Sequence, residues 1–288
     1  MALPTSDLQE FLDQNKGYKV YKRLEDTTII KLPNGELLKI LDKRLLKVIA
    51  DSGYDLDVRL DEADKFSGFK NFSIPTRKLT QNGKAKAYVM PCFPGVDFTD
   101  YYVDIFNLLS YAKLHSQIEG NIKEGNELGL VFPDLCTTEN IIISKDGKVF
   151  FIDYDGIQIG SMPAVGFSTS LGTPKQVLTP KYYDEKTDLF TKELDIKSAI
   201  FLYFLDTFSV NLATVGTINP TNGKIVTLDF VFQTINLEDP DIQHKVWLLF
   251  QEDKPNEFLG ESIYNLAEKY ALVPDFSTDG MLKKLVRK

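Results

Sequence analysis

The sequence predicts an α+β fold in two lobes: a small antiparallel β-sheet with one or two helices, then a mostly helical half. Three observations predict it. Between residues 18 and 90, short apolar and β-branched runs alternate with turn pairs, and helical spacing is confined to the middle of that stretch. The segment Pro91-Cys92-Phe93-Pro94-Gly95 then breaks the pattern. Beyond it, residues 100–116 and 195–208 carry long apolar stripes at helical spacing. The expected division is an N-lobe over 1–92, with five strands and a helix, and a C-lobe over 93–288.

In the N-lobe, Tyr18–Leu24 alternates, Thr27–Leu32 is β-branched, and Glu36–Leu41 follows the turn Pro33-Asn34-Gly35. Helical spacing over Lys43–Ala50 and Leu56–Phe66 predicts two helical segments. Ile74–Leu79 and Ala87–Met90, joined by Gln81-Asn82-Gly83-Lys84, predict a further antiparallel pair. In the C-lobe, Asp100–Ser116 places Tyr101, Ile105, Leu108, Leu109, Ala112 and Leu114 on one helical face. Gly160–Lys181 is rich in Gly, Pro, Ser and Thr without a period and reads as a long loop, a length that is usually functional. Asp195–Phe208, Asp239–Phe250 and Glu261–Tyr270 read as helices, and Val215–Leu228 as a hairpin or insertion.

The chain has 288 residues, 43% hydrophobic and 26% charged, the balance of a globular protein with ample core. Its net charge of −8 argues against an extended basic face, so no nucleic-acid partner is expected. The basic run Lys283–Lys288 reads as a solvated last turn. No apolar run approaches the roughly 18 residues that span a bilayer, and Met1–Asp7 lacks a basic region followed by an apolar core. Two cysteines, Cys92 and Cys136, form no zinc-spaced cluster. A cytoplasmic protein with reduced thiols and no membrane partner is expected.

Two stretches carry the chemistry. Phe132-Pro133-Asp134-Leu135-Cys136-Thr137-Thr138-Glu139-Asn140 precedes the apolar run Ile141–Ile143, and Phe150-Phe151-Ile152-Asp153-Tyr154-Asp155-Gly156 follows the turn Ser144–Lys148. Asp134, Asn140 and Asp153 thereby reach one edge of a hairpin. Three oxygen-bearing side chains so placed suit Mg²⁺ and a phosphate chain.

With these motifs in this order, the chain resembles the protein-kinase-like superfamily over nearly its full length. The resemblance implies a bilobal fold that binds ATP and Mg²⁺. Asp134 matches the catalytic Asp, Asn140 the metal-binding Asn, and Asp153-Tyr154-Asp155-Gly156 the D-F-G motif, with Asp153 on metal. Lys39, in Leu37-Leu38-Lys39-Ile40, matches the phosphate-contacting lysine, and Glu62 its ion-pair partner, with Asp61 and Asp64 as rivals. Val89-Met90-Pro91-Cys92-Phe93 is similar to the hinge, placing Met90, Cys92 and Phe93 at the adenine. Leu171-Gly172-Thr173-Pro174 is similar to the end of an activation segment, and Leu194–Ala199 to the buried helix that braces the catalytic loop. Asp155 either adds a carboxylate to the metal site or only shapes its turn. Ser161, Ser168, Thr169 and Ser170 are candidate modification sites in the long loop.

The departures point to an atypical bacterial- or phage-type Ser/Thr kinase-like protein. The Gly-rich loop is missing, since Lys22-Arg23-Leu24-Glu25-Asp26-Thr27 stands in its place. Five residues separate Asp134 from Asn140, where the family pattern has four. The first expectation is an ATP/Mg²⁺-dependent phosphotransferase acting on Ser or Thr of a protein. A pseudokinase scaffold with weak or no nucleotide binding and a protein partner is the alternative, and a small-molecule kinase or nucleotidyl transferase is a lesser one.

Overall fold

The structure is a computed structural model, and it describes residues 3–98, 100, 108–135, 138–165, 181–208, 212, 215–216, 223–235 and 237–250. Its first lobe begins with β1 (Thr5–Asp7) and α1 (Leu8–Gln14), whose first turn is capped by the Asp7 carboxylate on the Gln9 and Glu10 amides. β2 (Lys19–Arg23), β3 (Thr27–Lys31) and β4 (Leu37–Leu41) form an antiparallel meander. α2 (Lys43–Asp51) and α3 (Leu56–Glu62) follow, capped by Asp42 and Asp55, and α3 runs on as a 3₁₀ turn over Ala63–Phe66. β5 (Arg77–Gln81) and β6 (Lys84–Met90) are joined by Asn82 and Gly83, whose φ values of 55° and 77° are what a two-residue hairpin turn demands.

The resulting sheet has the order β1-β5-β6-β4-β3-β2. It has six strands where the sequence counted five, and the added pair, β1 with β5, is parallel. Three residues are too few to show an alternation, and α1 behind them spans only two turns.

The second lobe contains β7 (Val96–Asp97), α4 (Leu108–Glu127), β8 (Leu130–Val131), β9 (Ile141–Ile143), β10 (Val149–Phe151) and β11 (Gln158–Ile159). β12 (Tyr183–Asp184), β13 (Leu189–Phe190), α5 (Lys192–Phe208), α6 (Leu228–Ile235) and α7 (Pro240–Leu249) complete it, for seven α-helices among the described residues. α4 runs well past Ser116, where the stripe appeared to end, because its two late glycines do not break it. A Cβ on Gly125 would lie 2.5 Å from the Phe132 ring, so this glycine is a seat for Phe132. α6 was not foreseen: its Phe- and Val-rich sequence has strand character, and Thr227 caps it through the Phe230 amide. The expected helix over 261–270 and the Leu171–Pro174 match lie outside the described residues.

One apolar cluster runs through both lobes, from Leu41, Ile49 and Leu60 to Ile118, Ile141 and Phe151, each nearly inaccessible to solvent. At its centre, Phe72, Phe132 and Phe151 meet edge to face, and Tyr154 touches both Phe72 and Tyr88. The linker before β5 hydrogen-bonds to β10, the Ser73 N–H donating to the Phe151 carbonyl at 2.9 Å and the Phe151 N–H to that of Asn71 at 2.7 Å. The Asn71 amide also donates to Asn121 of α4 at 2.9 Å.

α5 braces the 132–135 turn. Its fully buried Asp195 accepts the Phe132 N–H at 2.9 Å and the Asn126 amide at 2.7 Å. Burial, opposed by these two donors, raises its pKa to about 7. In the unfolded chain the same carboxyl ionises near about 3.9, so between those values the folded state holds the extra proton. The contribution of Asp195 to stability therefore falls as pH rises through that window and is constant above it. Asp195→Ala is expected to cost on the order of 2 kcal/mol, because it strands the buried Phe132 amide. Urea unfolding of parent and variant across pH 4–7 checks both the loss and the slope.

Candidate functional site

β4 sits between β3 and β6, and register places Lys39 opposite Ile29 on one side and Tyr88 on the other, all on one face of the sheet. Lys39 is 6% exposed, and a lone ammonium there would be prohibitively costly. It is matched twice: Nζ lies 2.5 Å from Oδ1 of Asp153 and 2.5 Å from Oδ1 of Asp155. The Tyr88 hydroxyl donates to the same Asp155 oxygen. Burial works against the Lys39 charge, but attraction to Asp153 and then Asp155 outweighs it and holds the pKa well above the ordinary lysine value. For Asp155, burial is outweighed by Lys39 and by the Tyr88 bond, which keep it below the usual carboxylate range. Asp153 is pushed up by burial and by Asp155 beside it, against the pull of Lys39, and Asp26 of the β2–β3 turn adds to the push.

The turn carrying both carboxylates is strained. Asp153 adopts left-handed backbone angles, φ 77° and ψ 62°, an arrangement that costs on the order of 1 kcal/mol outside glycine. Gly156 makes room for it, since a Cβ there would lie 2.5 Å from the Asp153 Oδ2. β9 and β10 bring the second motif alongside the first: the Ile152 N–H donates to the Asn140 carbonyl at 3.0 Å. The Asn140 amide nitrogen donates to the Asp134 carbonyl at 3.1 Å and to its Oδ2 at 3.2 Å. Asp134, Asn140 and Asp153 line one small cavity, floored by Phe132, Phe151 and Ile157. The cavity offers carboxylate and amide oxygens with no sulfur or imidazole, a donor set that fits a hard divalent cation such as Mg²⁺.

The structure therefore brings Lys39, Asp134, Asn140 and Asp153 together and leaves Glu62 out. The expected Lys39–Glu62 ion pair does not form: Glu62, at the end of α3, pairs with Lys65 one turn on, and Asp61 pairs with Lys78 at 2.7 Å. α3 reaches the site by another route. Fully buried Arg59 donates to the Ile157 carbonyl at 2.5 Å and to that of Pro163 at 2.8 Å, and its own carbonyl accepts the Tyr154 hydroxyl at 2.8 Å.

At the crossing between lobes, Met90 is buried while Cys92 and Phe93 are half-buried. The Phe93 ring stacks on Phe150 of β10, with centroids 4.2 Å apart and planes at 11°. A Cβ on Gly95 would overlap the Ile143 carbonyl, so the crossing chain passes directly over β9.

Sequence reasoning missed Tyr88, Arg59 and the pairing of Asp155 with Lys39, none of which has a local signal. It also missed Lys22. Register sets Lys22 opposite Ile29, on the Lys39 face, and its Nζ lies 3.8 Å from Glu139, next to Asn140. The β2–β3 connection is a tight turn at Glu25-Asp26, with the Leu24 N–H donating to the Thr27 carbonyl at 2.9 Å. Among the described residues, no glycine lies in this turn. Cys136 and the Ser168–Ser170 loop lie outside the described residues.

No family model matches the sequence, and no curated protein matches it. Many solved structures match the fold. Among them is the kinase PK-1 of Cydia pomonella granulovirus, with a TM-score of 0.53 at 14% identity, covering 85% of this chain and 92% of that one. At that identity the likeness speaks for architecture alone. The chain has the bilobal kinase-like fold, an N-terminal β-sheet with helices set against a mostly helical second lobe.

Proposed function

We propose that the chain is an ATP/Mg²⁺-dependent phosphotransferase. The observation that carries this reading is the cavity shared by Asp134, Asn140 and Asp153, with buried Lys39 bonded to its rim. Asn140 and Asp153 would hold the metal, which when bound neutralises the phosphate oxygens. Lys39 gives its ammonium to the phosphate chain, and Asp134 accepts a hydrogen bond from the attacking hydroxyl and orients it. Lys22, on the same sheet face, is a second cation for the phosphates where the Gly-rich loop is missing. Met90, Cys92 and Phe93 line the approach for the adenine. The lobes would divide at residue 92, next to that approach. A protein Ser or Thr is the favoured acceptor on the strength of the Gly160–Lys181 loop, most of which lies outside the described residues.

The pseudokinase reading also has a specific observation behind it. The β2–β3 turn carries Glu25 and Asp26 in place of glycines, and Asp26 lies near enough to Asp153 to push its pKa up, while Glu25 pairs with Arg44 of α2. A scaffold that has given up nucleotide could carry such a turn.

Thermal unfolding with ATP and Mg²⁺, separately and together, distinguishes the two. Ligand at a hundred times its Kd adds about 2.7 kcal/mol, a shift of several degrees that is expected only when both are present. No shift at millimolar nucleotide would favour the scaffold. If the parent turns over ATP, Asp134→Asn is expected to lower kcat by roughly 10²–10⁴ while Mg·ATP still binds. Asp153→Ala is expected to abolish the Mg²⁺-dependent shift and leave a folded chain.

A further inference from the structure

Asp153 and Asp155 touch the same ammonium, yet their surroundings differ. The Asp153 side chain is 31% exposed and lines the cavity with Asp134 and Asn140, whereas that of Asp155 is 7% exposed and does not reach it. Asp155 faces inward, closed over by Lys39 and by the Tyr88 hydroxyl. A cation entering from the cavity meets Asp153 and not Asp155. Once the Asp153 charge is directed at that cation, Lys39 would be left bare inside the protein unless a second carboxylate stayed with it. The α3 carboxylates are engaged elsewhere, Asp57 and Asp61 with Lys78 and Glu62 with Lys65.

We propose that Asp155 is the standing partner of Lys39, a positioning residue that holds the lysine for the phosphates while Asp153 turns to the metal. The proposal rests on the phosphotransfer reading above. It moves the lysine's partner from a helix into the same four-residue turn that carries the metal ligand. Whenever the 153–156 turn is formed, the lysine is in place. α3 contributes by gripping that turn through the Arg59 side chain and carbonyl, with no charge of its own on Lys39.

The test is a double-mutant cycle on Mg·ATP and adenosine binding by the full chain, with Lys39→Met, Asp155→Asn and the pair. Asp155→Asn is expected to weaken Mg·ATP at least tenfold and leave adenosine, which has no phosphates, unaffected. In the Lys39→Met background the same substitution is expected to do nothing further. An undiminished effect in that background, or loss on Glu62→Gln with none on Asp155→Asn, overturns the proposal. If Asp155→Asn does not fold, a crystal structure of the parent with Mg·ADP decides: Lys39 Nζ retained on Asp155, with Asp153 on the metal, supports it. Lys39 on Glu62, or Asp155 on the metal, overturns it. A parent that binds adenosine but not Mg·ATP removes the phosphotransfer reading and this proposal together. A parent that binds both, without coupling between residues 39 and 155, removes only the proposal.

Discussion

A lysine ammonium removed from water must be answered by charge, and Lys39 is answered from 114 and 116 residues away. That requirement links features that otherwise look unrelated. It needs β4 flanked on both sides, so that the lysine leaves the middle of the sheet at a fixed height. It needs the chain after β10 to turn at once through a left-handed aspartate, so that two carboxylates separated by a single residue point at the same atom. It needs a glycine at 156, where any side chain would strike Asp153. Tyr88 then closes the remaining side, its hydroxyl adding to the Lys39 charge that keeps Asp155 low in pKa.

Arg59 solves the same problem differently. Its guanidinium is as deeply buried as Lys39, but the acceptors it meets are the carbonyls of Ile157 and Pro163. Burial accordingly lowers its pKa where the carboxylates raise that of Lys39. Neutral acceptors fix a cation in place without consuming a negative charge, which leaves both turn carboxylates to Lys39. Behind these two cations the packing is aromatic: Phe72, Phe132, Phe151 and Tyr154 fill the space between the lobes. The segment that carries the candidate chemistry is thus clamped by α3 above, α5 below and the ring cluster behind.

Much of this was legible in the residues because its causes are local. Asn82-Gly83 can hardly be anything but the centre of a turn, and the apolar spacing of Lys43–Ala50 and Leu56–Phe66 needs only near neighbours to show a helix. That Asp134, Asn140 and Asp153 come together was legible from their places on either side of a hairpin, and Lys39 entered through the order of motifs in the resemblance. Asp155 was half legible. Its place in the motif stood out, but a turn-forming Asp and a lysine partner look identical until the far strand is brought up beside it. Glu62 misled for the same reason: helical position suggests a reach towards Lys39, while Lys65, one turn away, offers a cheaper partner. β1 and α6 escaped because one is too short to show a period and the other is built from residues that favour strands.

Two of the contacts between the lobes lie where the chain passes from one to the other. One is the linker at Asn71 and Ser73, hydrogen-bonded to β10 and α4, and the other is the Phe93–Phe150 stack beside Gly95. The Ser73 hydroxyl, 3.2 Å from the Pro91 carbonyl, ties these two places to each other. They add to the inner ties already described, Lys39 with Asp153 and Asp155 and Arg59 with Ile157 and Pro163. Lys22 sits apart from these ties, and its contact with Glu139 is solvent-exposed, worth under about 1 kcal/mol. The ties between the lobes are thus strongest at the buried lysine and weakest at the rim, where an exposed pair costs little to break.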